Sequence, residues 1–150
     1  RQGCTVWGVD TGEKLKVMTA LGFDRVIDYK QQDFTLLGER FDLVVDAKTK
    51  RSAGELARAL KTNGRYVTVG GDPGRLLALV FARWFGKRQM HIVALKSNKN
   101  LDALAPILSN GALKPVIDGP YAFHELPRLI RRFGEGLHTG KVVVRVVVDA

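Results

Sequence analysis

Cysteine is nearly missing from this sequence of 150 residues: Cys4 stands alone. One cysteine excludes an internal disulfide and any CxxC zinc motif. Its place at the start of an apolar strand predicts a buried, inert thiol. No apolar run approaches the roughly 20 residues that span a bilayer, so a membrane is not an expected partner. No signal peptide is read, and the chain opens on RQGCTVWGVD without an initiator Met. A preceding segment is therefore expected, and a cytoplasmic location. Acidic residues are in deficit, 15 against 24 basic ones, for a net charge of +9. That balance permits nucleic-acid binding. The cations are scattered, however, and densest at Lys48-Thr49-Lys50-Arg51, Gly86-Lys87-Arg88 and Arg131-Arg132. Aromatics, at 8%, do not interleave with them, as a single-strand platform would require. Scattered cations usually form a solvated face or a phosphate site, and nucleic acid is not the favoured partner.

What is present is strand-like. CTVWGVD (Cys4–Asp10), FDLVVDA (Phe41–Ala47) and GRYVTVGG (Gly64–Gly71) each run apolar and then meet an Asp or a Gly where the chain turns. Helix-like segments separate them. Apolar runs without alternation are buried on both faces. They predict an α/β fold with a parallel sheet covered by helices on both faces. A hydrophobic fraction of 45% supplies a core for it. In such sheets ligands bind beyond the carboxyl ends of the strands, where these Asp and Gly residues sit.

Leu15, Met18 and Leu21 predict a helix over 13–21, stopped by Gly22. A short strand is expected over 25–29 and a polar loop over 30–40. Ser52-Ala53-Gly54-Glu55 is an S-x-x-E capping box, opening a helix with Leu56 and Leu60 as its stripe and Asn63-Gly64 as its end. RLLALVFARWFG (75–86) predicts a helix apolar nearly all round. Its flanking cations admit docking on a membrane surface or lining a substrate channel; core or dimer packing is the favoured reading. A strand over 91–95 and a helix over 98–110 follow, the helix stopped by Gly111 and expected to kink at Pro106. A short strand is expected over 115–117, then a helix over 123–133 with Pro127 in its first turn. The final run KVVVRVVV (141–148) is so β-prone that it must be covered or paired.

In this order, GVDTGEKLKVMTALGFDRVIDYKQQDF, FDLVVDA, ALKTNGRYVTVGG, NGALKPVIDGPYAFHELPRLI and GEGLHTGKVVV resemble the C-terminal half of a medium-chain dehydrogenase/reductase. The branch they resemble is the zinc-independent, quinone-oxidoreductase-like one. The resemblance implies a Rossmann domain inserted in a GroES-like catalytic domain. It implies reduction of a quinone, an enone or a related small carbonyl substrate by hydride transfer from NAD(P)H. It implies a homodimer, since such proteins often extend their sheets at the fifth-strand edge. It divides the chain into 1–114, an incomplete Rossmann dinucleotide-binding domain, and 115–150, a segment that returns to the catalytic domain.

The family's G-x-G-x-x-G fingerprint would fall just before Arg1, and no such motif occurs here. In the strand order 3-2-1-4-5-6 the first, central strand is then missing. The strands ending at Asp10 and Asp28 cannot pair with the Phe41 strand. The favoured expectation is that the central strand belongs to a longer protein. Alternatively a strand such as 141–148 fills the gap, or a partner chain supplies it.

The resemblance also assigns a cofactor-binding set. Asp10 ends the second Rossmann strand, where a carboxylate accepts the adenosine ribose hydroxyls and repels a 2′-phosphate. With Glu13 nearby the lean is to NAD, although Lys14 follows; a helix N-cap is the plainer role for Asp10. Tyr29 resembles the family's tyrosine at the adenosine end, or is a half-buried aromatic at a strand end. Asp46-Ala47 ends the strand whose loop passes the cofactor. Lys48-Thr49-Lys50 replaces the glycine that relatives carry there, and an exposed basic turn is its favoured reading. Gly70 and Gly71 let the backbone approach the nicotinamide side, or simply make a tight turn. Lys96 and Asn98 keep the K-x-N pattern of the loop lining the nicotinamide pocket. Lys141, in the late G-K, can reach a cofactor phosphate as a point charge, or stay solvated.

No catalytic residue is assigned. His91, His124 and His138 lack Cys, Asp or Glu at ligand spacing, so no metal site is expected and each histidine is read as structural. No Ser-His-Asp set or carboxylate pair is found. Because the substrate-facing groups of the family come from its other domain, these residues alone are expected to show little activity. The competing reading is a non-catalytic Rossmann remnant that dimerises or binds nucleic acid through its charge.

Overall fold

The computed structural model describes residues 3–47, 50–85, 89–93, 96 and 99–146. Strands and helices alternate. They run β1 (Trp7–Asp10), α1 (Glu13–Ala20), β2 (Arg25–Asp28), β3 (Phe41–Asp46), α2 (Ala53–Ala59), β4 (Leu60–Thr68), α3 (Pro73–Phe85) and β5 (Gln89–Ile92). There follow α4 (Leu101–Ser109), β6 (Ile117–Ala122), α5 (Leu126–Gly134) and β7 (Lys141–Arg145). Two compact units emerge, Ile27–Ser97 and a second made of Arg1–Val26 with Asn98–Ala150.

The first unit is built on a parallel sheet in the order β3-β4-β5. Tyr66 and Thr68 are sealed from solvent on one face of β4, as its two-residue period dictates. Leu56 of α2, Leu60, Tyr66, Leu79 of α3 and Met90 of β5 form its core, with Phe34, Val44, Ala53, Ala57 and Leu76 packed around them. On the opposite face of β3, Leu43 and Val45 are exposed. The capping box forms as expected: the Ser52 hydroxyl accepts the Glu55 N–H, and the Glu55 carboxylate accepts the Ser52 N–H at 2.7 Å. The 30–40 stretch contains a short 3₁₀ turn, Phe34–Leu36, capped by the Asp33 side chain.

In the second unit β6 and β7 run parallel, with Ile117 opposite Lys141 and Asp118 opposite Val142. β1 and β2 pair with each other. Among the described residues neither joins the β3-β4-β5 sheet. The KVVVR strand, expected to be covered or paired, pairs with β6 and joins no other sheet among the described residues.

Three expectations are corrected. Cys4 is exposed, because the first strand begins only at Trp7 and leaves the thiol outside it. Asn63-Gly64 does not end α2; that helix stops at Ala59 and the two residues lie inside β4. Gly64 is needed there because a Cβ would come within 2.7 Å of the Phe41 carbonyl of β3. The short strand expected over 115–117 starts at Ile117 and continues to Ala122 through Gly119-Pro120. A Gly-Pro pair argues against a strand interior, and the register is irregular between Asp118 and Tyr121. Residues 94–95 and 147–148, the ends of two expected strands, lie outside the described residues.

Candidate functional site

The candidate site begins where the parallel strands end. Asp46 of β3 lies opposite Thr68 of β4, and the Val69 N–H donates to the Asp46 carbonyl at 3.2 Å. Val93, just past β5, donates its N–H to the Thr68 carbonyl at 2.8 Å. Asp46, Ala47, Gly70 and Gly71 are thereby gathered at one sheet edge. Ala47 is exposed, and Gly70 and Gly71 are half-buried. The Asp46 carboxylate accepts the Tyr66 hydroxyl at 2.8 Å. The Thr68 hydroxyl donates to the Gly70 carbonyl at 2.7 Å and accepts the Gly70 N–H at 3.3 Å. That closed loop sets the path of the glycine pair. Lys96 follows β5 and is exposed; Lys48, Thr49 and Asn98 lie outside the described residues.

Tyr29 comes immediately after β2 and is 49% exposed, more open than a half-buried strand end. Asp10 ends β1. Its Oδ1 accepts the Thr11 N–H at 2.9 Å and lies 3.6 Å from the Lys14 ammonium. It does not cap α1, whose N-cap is Gly12. Lys141 opens β7, exposed, with its N–H on the Val116 carbonyl at 2.8 Å. His138 stacks on Phe133 with ring centroids 4.2 Å apart. The buried Nδ1 of His138 and Nε2 of His91 lack a hydrogen-bond partner among the described residues.

Two polar clusters were not foreseen. The first joins Arg51 to Asp33 and Glu55. Burial alone would push the Asp33 carboxyl up, but hydrogen bonds from Thr35 and Arg51 outweigh it and hold it below its ordinary value. The second centres on Asp118. It accepts the Tyr121 hydroxyl, the Thr139 N–H at 2.9 Å, and Arg132 Nη1 at 3.1 and 2.9 Å. The Tyr121 hydroxyl first, then the Thr139 amide and Arg132, hold its carboxyl at about 2. The sequence carried one signal for it. Asp is rare inside strands, so Asp118 in an apolar setting demanded partners.

Residues 21–144 match the family described as zinc-binding dehydrogenase. The chain belongs to this family. Its recognition as a medium-chain dehydrogenase/reductase, in the quinone-oxidoreductase-like branch, holds. Among curated relatives, a 2-methylene-furan-3-one reductase of Solanum lycopersicum is 32% identical over 136 residues, covering 89% of this chain and 31% of that protein. An NADPH-dependent alkenal/one oxidoreductase of Arabidopsis thaliana is 28% identical, covering 88% and 31%. A solved quinone oxidoreductase from Coxiella burnetii shares the fold, with a TM-score of 0.76, 21% identity and coverage of 97% and 46%. The chain thus spans about a third of the two plant relatives.

The family implies an NAD(P) cofactor, and the residues present fit one. Within the first unit a glycine pair lies at the ends of parallel strands, with exposed Lys96 beyond β5; within the second, the Asp10 carboxylate suits a ribose hydroxyl and exposed Lys141 suits a phosphate. Among the described residues no three His, Cys, Asp or Glu side chains gather to hold a metal.

Proposed function

We propose that this chain is the cofactor-binding portion of an NAD(P)H-dependent oxidoreductase that reduces a quinone, enone or related small carbonyl compound. The observation that carries the reading is the strand-end edge where Asp46, Ala47, Gly70 and Gly71 converge in a chain of this family. When bound, the nicotinamide supplies the hydride.

The chain's own residues bind and orient. Asp10 accepts the adenosine ribose hydroxyls, and Tyr29 flanks the adenosine. The backbone of Asp46, Ala47, Gly70 and Gly71 admits the dinucleotide close to the sheet. Lys96 and Asn98 line the nicotinamide side, and Lys141 meets a phosphate. The lean is to NAD, because the Asp10 charge repels a 2′-phosphate. The Lys14 ammonium, 3.6 Å away, offsets part of that charge and narrows the preference.

On this reading 1–114 is an incomplete Rossmann domain and 115–150 returns to the catalytic domain of a cytoplasmic homodimer. Substrate-facing groups come from that other domain, so these 150 residues alone turn over little or no substrate. Calorimetric titration of the protein with NADH, NADPH and a DNA duplex tests the reading. Binding of a reduced nicotinamide dinucleotide, and none of the duplex, supports it. Binding of DNA alone points to a non-catalytic module.

A further inference from the structure

We propose that Asp118 is a positioning residue for Lys141: its carboxylate clamps the turn from which the lysine departs. The inference rests on the reading of Lys141 as a phosphate contact.

A lysine on a flexible stem finds a phosphate only if its backbone is held. Here the backbone is tied at both ends of a short turn. Asp118 Oδ2 accepts the Thr139 N–H at 2.9 Å, and the Val116 carbonyl accepts the Lys141 N–H at 2.8 Å. Between them Gly140 adopts φ +83°, and a Cβ on it would strike the Val116 carbonyl. Both anchors belong to β6 and the residue before it, so the turn is fastened to one strand.

The clamp is itself held. The Asp118 side chain is 9% exposed. Arg132 Nη1 reaches both its oxygens and also donates to the Tyr121 hydroxyl at 3.1 Å. Tyr121 in turn donates to Asp118. An ion pair that served only to join β6 to α5 would not need the Thr139 amide. That bond carries the rigidity of the pair into the Gly140–Lys141 turn.

The test uses the whole protein with Asp118→Asn, Lys141→Ala and the double variant. Without cofactor, Asp118→Asn should speed amide exchange at Thr139, Gly140 and Lys141 by roughly tenfold or more, as loss of a charge-assisted bond predicts. Amides of β3, β4 and β5 should not change. No local change, or a uniform acceleration everywhere, overturns the clamp. With NADH and NADPH, each single variant should weaken binding, and Asp118→Asn should add nothing on the Lys141→Ala background. An equal penalty on both backgrounds overturns the coupling. Lys141→Ala binding like wild type removes the phosphate contact and this inference with it, while the exchange data still report on the turn. If Asp118→Asn does not fold, Tyr121→Phe loosens the same carboxylate and is read the same way.

Discussion

The hydroxyl of Tyr66, a residue sealed in the core, donates to the Asp46 carboxylate at 2.8 Å. Tyr66 lies opposite Val44, and Asp46 stands one pleat further along β3. The bond runs from the packed face of the sheet to the end of β3, so the core holds the strand end where the candidate site begins. Tyr66→Phe keeps the ring and deletes the donor. It should lower unfolding free energy by about 1–2 kcal/mol, read from urea melts. A variant as stable as wild type would mean that the bond contributes nothing net.

Asp118 predicts a pH dependence. Its carboxyl falls from 3.8 to about 2 on folding. A depressed carboxyl stabilises the fold above its unfolded value, and that stability drains away as pH falls toward the folded one. Nearly two units correspond to roughly 2 kcal/mol. The stability gap between wild type and Asp118→Asn should shrink by that amount between about pH 7 and about pH 2. A gap independent of pH would refute the assignment.

Ser52 closes the capping box at the start of α2. Ser52→Ala removes the acceptor for the Glu55 N–H and leaves the Glu55 carboxyl, held low chiefly by the Ser52 hydroxyl, without that donor. The expected loss is about 1 kcal/mol, measured by chemical denaturation. A change within error would show that water replaces the cap without penalty.

Gly64→Ala should destabilise more. Its Cβ would approach the Phe41 carbonyl to 2.7 Å and the Lys61 backbone to 3.0 Å. Backbone atoms on both sides leave little room to yield, so the cost should be about 1–3 kcal/mol. The amides of β3 and β4 near Phe41 should exchange faster, which nuclear magnetic resonance would detect.

Asp10→Ser probes the cofactor preference. Removing the carboxylate leaves Lys14 unopposed at the end of β1. The ratio of NADPH to NADH affinity should rise by roughly tenfold, as a single charged contact predicts. A ratio that does not move would take Asp10 out of the adenosine site.

Much of this was legible in the residues. The S-x-x-E box announced α2, and the helix expected over 13–21 appears as Glu13–Ala20. The Asp that closes two of the apolar runs marked the ends of β1 and β3. These signals are local, since caps and turns act over a single helical turn. Other features were hidden because they depend on distant chain. Asn63-Gly64 reads as a helix stop, yet Gly64 is demanded by a carbonyl of β3. Gly119-Pro120 reads as a break, yet β7 draws it into a strand.

The order of strands and helices and the capped start of α2 were set by the sequence alone, through local propensity and the spacing of apolar residues. Tertiary structure decided which strands pair, that Tyr66 meets Asp46, and that Asp118 gathers Tyr121, Arg132 and the Thr139 amide. Such contacts join residues far apart in the chain. Their choice depends on what the whole fold buries and which polar groups it must satisfy, and no short stretch encodes that.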